Sequence, residues 1–80
     1  MNAEDVARLI LAEFSEFGKA PGESLMARAV RSRLKAQPHR VTANQLAAAE
    51  SFALYRGWIE RGPRPSQWKL TEAGAEMVSQ

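Results

Sequence analysis

Apolar and polar positions recur along this chain with two different periods. Val6, Leu9, Ile10, Phe14 and Phe17 return every three or four residues and predict a first amphipathic helix. Asn2 or a neighbour caps it, Glu4 and Asp5 suit its first turn, and Gly18 ends it. Lys19-Ala20-Pro21-Gly22 is a linker, and a second helix is predicted over 23–36. There Met26, Val30 and Leu34 share the apolar side, while Ser24, Arg28, Arg31 and Lys35 cluster opposite. Glu13 and Arg33 are each the odd charge on a core-facing stripe, so the two are expected to pair. Pro38 pushes Gln37 out of helical geometry and makes Gln37-Pro38-His39-Arg40 a turn, with His39 at the surface.

A third helix is predicted over 42–56. Val41-Thr42-Ala43-Asn44-Gln45-Leu46 is a capping box: Thr42 accepts from the amide of Gln45, Gln45 reaches back to Thr42, and Val41 staples onto Leu46. Leu46, Ala49, Phe52 and Ala53 face inward, Asn44, Ala47, Ala48, Ser51 and Tyr55 outward, and Gly57 terminates the helix. The period then falls to two. Trp58-Ile59-Glu60-Arg61 and Gln67-Trp68-Lys69-Leu70 read as a short hairpin around Gly62-Pro63-Arg64-Pro65-Ser66, whose prolines cannot donate to a ladder. Neighbours in a regular strand point to opposite faces, so one of Trp58 and Ile59 should be partly exposed. Trp58 and Trp68 are assigned to packing rather than to base stacking. Thr71 caps a last helix over 72–80.

Composition narrows the chemistry. Eighty residues predict one small domain, 1–80, with a core that supplies only a few kcal/mol of net stability. There is no cysteine, and one histidine, His39, cannot build a metal site alone, so neither thiol chemistry nor a metal or other cofactor is expected. The carboxylates have no partners at active-site spacing, and no nucleophile motif or phosphate loop is present, so the chain does not read as an enzyme. No apolar run reaches the roughly 20 residues of a membrane span, and the first ten residues are acidic before they are apolar. A cytoplasmic protein that does not engage membranes is the expectation.

Charge adds a direction. The net charge is +2, yet residues 28–69 hold nine basic side chains against Glu50 and Glu60, a balance of +7. The rest of the chain balances at −5. Such a separation suits one face of a small domain to phosphate.

The run ALYRGWIERG, followed by WKLTEAG, resembles the helix, wing and closing LT-x-x-G of winged helix-turn-helix domains in small bacterial transcriptional regulators. The resemblance covers about half the chain closely and the rest by order of elements. It implies a mainly α fold with a small β-hairpin: three helices, a two-stranded wing and a short C-terminal helix. It further implies double-stranded DNA binding with helix 42–56 in the major groove, where Thr42, Asn44, Gln45, Ala47, Ala48 and Ser51 would lie near the bases. Arg28, Arg31, Lys35 and Arg40, with Arg61, Arg64 and Lys69 of the wing, are the phosphate candidates. A homodimer reading two half-sites, joined through the non-basic first or last helix, is a further expectation. The rival reading is a protein-interaction module on the same fold, favoured by the neutral outer face of helix 42–56 (Ala47, Ala48, Ser51, Leu54 and Tyr55), with no Lys or Arg between Thr42 and Tyr55.

Overall fold

The computed structural model describes residues 1–79. Helix α1 (Ala3–Glu16) opens on a capping box in which Asn2 accepts from the amide of Asp5 at 2.8 Å and the carboxylate of Asp5 accepts from the amide of Asn2 at 3.3 Å. It ends at Phe17, with Gly18 in the left-handed region at φ +66°. Strand β1 (Ser24–Met26) runs directly into α2 (Ala27–Lys35), and a turn leads to α3 (Ala43–Tyr55). Strands β2 (Ile59–Arg61) and β3 (Gln67–Leu70) form the hairpin, and α4 (Glu72–Ser79) closes the fold; Gln80, included in the last predicted helix, lies outside the described residues.

The four helices carry a three-stranded antiparallel sheet of order β1-β3-β2. Two strands are predicted from the sequence; the third is a correction. Ser24, Leu25 and Met26 pair with Lys69, Trp68 and Gln67, and the pairing continues through Gly22 and Glu23 onto Leu70. The second helix therefore begins at Ala27 rather than at 23, and Ser24 is a strand residue. Met26, predicted on the helix's apolar side, is instead 39% exposed at the end of β1. Strand propensity is weak in Ser-Leu-Met; the partner strand decides the conformation.

Leu25, Trp68, Leu70 and Ile59 turn one sheet face inward, onto a core shared with Val6, Ala7, Ile10, Leu11 and Phe14 of α1, Val30 and Leu34 of α2, and Leu46, Ala49 and Ala53 of α3. On α1 the buried stripe includes Ala7 and Leu11, while Leu9 is only half-buried and Phe17 is 43% exposed, with the Arg33 guanidinium 5.3 Å from its ring. Trp58 and Ile59 are both buried, against expectation. Strand β2 starts at Ile59, so Trp58 belongs to the turn after Gly57 (φ +73°) and is free to meet Phe52 edge-on, with ring centroids 5.5 Å apart. The expected pair of Glu13 and Arg33 is present: the Arg33 Nε donates to the carboxylate of the buried Glu13 and ties α2 to α1.

The LT-x-x-G run locks α4 to the hairpin. Leu70 is buried, and the Thr71 hydroxyl accepts from the amide of Gly74 at 3.0 Å while facing the carbonyls of Gly57 and Trp58 at 2.5 and 2.9 Å. No helix among the described residues is long and apolar enough to cross a membrane.

Candidate nucleic-acid interface

Helix α3 starts from the predicted capping box: the Gln45 amide donates to the Thr42 hydroxyl at 3.1 Å, and the Thr42 amide donates to Gln45 Oε1 at 2.9 Å. These bonds occupy the Thr42 oxygen and the Gln45 carbonyl, two of the groups placed near bases by the sequence. Asn44, Ala47, Ala48, Ser51 and Tyr55 are exposed, Tyr55 at 88%. At 100° per residue they form one outward sector about 100° wide. Met1, Asn2 and Ala3 at the start of α1 share a shallow hollow with Asn44, Gln45 and Ala48 and so border one side of that sector.

The other side is bordered by α2 and the sheet, through a three-residue contact. Glu50 of α3 accepts from Trp68 Nε1 at 2.6 Å through one carboxylate oxygen and from Arg31 at 3.2 Å through the other. The Arg31 guanidinium also lies 5.2 Å from the centroid of the Trp68 ring. An indole N–H can only donate, so a buried Trp68 needs an acceptor, and Glu50 supplies it. In the sequence Glu50 counts only against the positive charge of residues 28–69. The signal that could have revealed it is its wheel position at the core edge, beside Leu46 and Ala53.

The basic stripe of α2 lies beside this contact. Burial of Ala27, Val30 and Leu34 fixes the face of α2, and Arg28, Arg31 and Lys35 lie within about 60° of one another around the helix, so Arg28 and Lys35 share the side on which Arg31 meets α3 and Trp68. Arg33, on the opposite flank, is held by Glu13. The amide of Ala27 donates to the Ser66 carbonyl at 2.8 Å, which places Arg28 one residue from the hairpin loop. Arg64 is exposed in that loop between Pro63 and Pro65, and Arg61 stands opposite Trp68 in the ladder. Lys69 does not join them. It is half-buried on the other sheet face, with Glu60 and Ser24 as its cross-strand neighbours. Among the described residues, Arg28, Lys35, Arg40, Arg61, Arg64 and Lys69 have no carboxylate at ion-pair distance, and no cluster of His, Asp or Glu could hold a metal.

Arg40, two residues before the cap of α3, adopts φ +51°, a left-handed conformation that costs an ordinary side chain roughly 1–2 kcal/mol. Its amide donates to the Ala36 carbonyl at 2.9 Å and the next amide to that of Leu34 at 2.8 Å, so the turn imposes the conformation. Arg40→Gly is expected to stabilise the fold by about 0.5 kcal/mol, the relief of strain less the extra chain entropy of glycine. Urea unfolding measures this; a clear loss of stability would mean that the arginine side chain itself supports the fold.

Compared with protein-family models, with curated proteins and with solved structures, the chain has no match in any of the three.

Proposed function

We propose that this chain is a winged helix-turn-helix DNA-binding protein that acts in transcriptional regulation. Helix α3 enters the major groove of a duplex, and Arg28, Lys35 and Arg40 on one flank, with Arg61 and Arg64 of the hairpin, meet phosphates. The observation that supports this reading is that Arg28 and Lys35, with no carboxylate partner among the described residues, share the side of α2 that carries Arg31, the residue in contact with Glu50 of α3 and Trp68 of β3. Cations grouped beside an uncharged helical face match a groove lined by phosphates. Arg40 fits the same reading, because strained residues cluster at functional sites and its exposed guanidinium has no carboxylate partner among the described residues. Lys69 and the side chains of Thr42 and Gln45 are secondary, for the geometric reasons above. The chain works in the cytoplasm, where its target is, and a homodimer through α4, whose Ala75, Met77 and Val78 are half-buried, would read two half-sites.

Binding to a random-sequence duplex across a salt series tests the proposal. Each lost phosphate contact is expected to flatten the log–log slope by about 0.9. Arg28→Ala with Lys35→Ala should therefore flatten it by nearly two units, and Arg64→Ala by about one. Arg33→Ala combined with Glu13→Gln, which removes the pair on the opposite flank of α2 without stranding a buried charge, should leave it unchanged. Binding absent at low salt, or an Arg33 effect equal to that of Arg28, would refute the assignment.

The exposure of Tyr55 favours a second reading, a protein-binding adaptor. An 88% exposed tyrosine next to Ala47, Ala48 and the half-buried Leu54 is the kind of aromatic anchor that protein interfaces use. In that case Tyr55→Ala abolishes partner capture and the salt series shows no duplex binding.

A further inference from the structure

Resting on the duplex-DNA reading, we propose that the duplex this chain selects is rich in A·T pairs: Asn44 reads adenine in the major groove while Arg64 enters an adjacent narrow minor groove. Each base edge asks for a different side chain, and the outward sector of α3 answers only some of them. Guanine O6 and N7 are both acceptors and call for an arginine or lysine, and none lies between Thr42 and Tyr55. The cytosine amino group calls for a carboxylate. Glu50 is the one carboxylate of α3, and both its oxygens are engaged, one by Arg31 and one by Trp68. Adenine presents an acceptor at N7 and a donor at N6, the pattern an amide matches with two bonds. Asn44 is exposed, and among the described residues its side-chain amide makes no hydrogen bond. Gln45 is less free, since its Oε1 already accepts from the Thr42 amide. The methyl groups of Ala47 and Ala48, exposed on either side of this sector, suit the thymine methyl.

The hairpin points to the same base pairs independently. Arg64 has no carboxylate partner among the described residues and sits between two prolines, whose rings hold the backbone on either side. A·T tracts have a narrow minor groove with enhanced negative potential, which attracts an inserted arginine. One feature is on a helix and the other on a loop, so they can be removed separately.

The experiment is fluorescence polarisation at one fixed salt concentration with three duplexes of equal length: one A·T-rich, one G·C-rich, and the A·T-rich one with deoxyuridine replacing thymidine. Wild type is expected to bind the A·T duplex about tenfold or more tightly than the G·C duplex, with the deoxyuridine duplex in between. Asn44→Ala, a change on an exposed helical face whose folding circular dichroism checks, should reduce the A·T preference severalfold and leave G·C binding as it was. Arg64→Ala should weaken A·T binding more than G·C binding. Equal wild-type affinity for the A·T and G·C duplexes would overturn this inference while leaving duplex binding intact. A ratio unmoved by both substitutions would do the same. No binding to any of the three at low salt would instead overturn the underlying DNA reading, and this inference with it.

Discussion

Replacing Gly74 by alanine is expected to cost about 3–5 kcal/mol, although alanine is the better helix former. Gly74 is buried at the third position of α4, where intrinsic propensity alone would have alanine stabilise the helix by about 1 kcal/mol. A Cβ there would stand 2.1 Å from the carbonyl oxygen of Trp58 and 3.0 Å from Leu70 Cδ1. The first neighbour is backbone and cannot rotate away. Relief requires α4 to retreat, and the same carbonyl anchors Thr71, whose amide and hydroxyl point at it from 3.2 and 2.9 Å. Retreat would break those bonds, loosen the cap on Gly74 and open the cover over Trp58 and Leu70. Overlap therefore outweighs propensity severalfold. For a domain of this size each kcal/mol moves Tm by roughly 4–8 °C, so a fall of about 12–40 °C, or no cooperative transition at all, is expected. A Tm within a few degrees of wild type would show that α4 is not seated against Trp58 as described.

That prediction gives the LT-x-x-G run a physical meaning: leucine fills the core, threonine caps, and glycine permits the approach. It belongs to the part of the fold that local chemistry makes legible. The cap at Asn2, the capping box at Thr42, the helix stop at Gly57 and the presence of the hairpin all depend on residues close to one another in the chain. The Glu13–Arg33 pair spans two helices, yet it could be anticipated because a charge on an apolar stripe demands a partner wherever it comes from. What escaped was set at long range. Strand β1 exists because β3 offers it a ladder 41 to 45 residues away, as the pairs Met26–Gln67 and Ser24–Lys69 show, and no periodicity in three residues announces that. Trp58 is buried because the strand starts one residue later than its alternation suggests. At the candidate interface, the sequence could name the cations but not their side of the molecule. Lys69 went to the far sheet face by register alone, and the side of α2 that carries Arg28 and Lys35 is set by how Ala27, Val30 and Leu34 seat in the shared core.

Removing that carboxylate is expected to move stability and DNA affinity in opposite directions. Glu50→Ala leaves the indole N–H of Trp68, a residue only 1% exposed, without its acceptor, at a cost of about 1–3 kcal/mol. Arg31 loses its ion pair as well, but its side chain is 40% exposed, so water replaces most of that interaction and it adds little. Glu50→Gln keeps an oxygen for the indole and should cost about 1 kcal/mol or less, the difference between a charged and a neutral acceptor. Chemical denaturation ranks the two variants, and the Trp68 indole resonance, one of only two in the protein, reports which has lost its bond through faster hydrogen exchange. Both variants remove a negative charge from the edge of the proposed groove and free Arg31 for phosphate. Both should therefore bind a random duplex more tightly than wild type, with a salt slope steeper by up to about 0.9. Affinity that falls along with stability in Glu50→Gln would mean that the carboxylate's orientation of Arg31 matters more than its charge. Unchanged affinity and slope in both would separate this flank of α3 from the DNA altogether, and the exposed face ending at Tyr55 would then be the surface to examine for a protein partner.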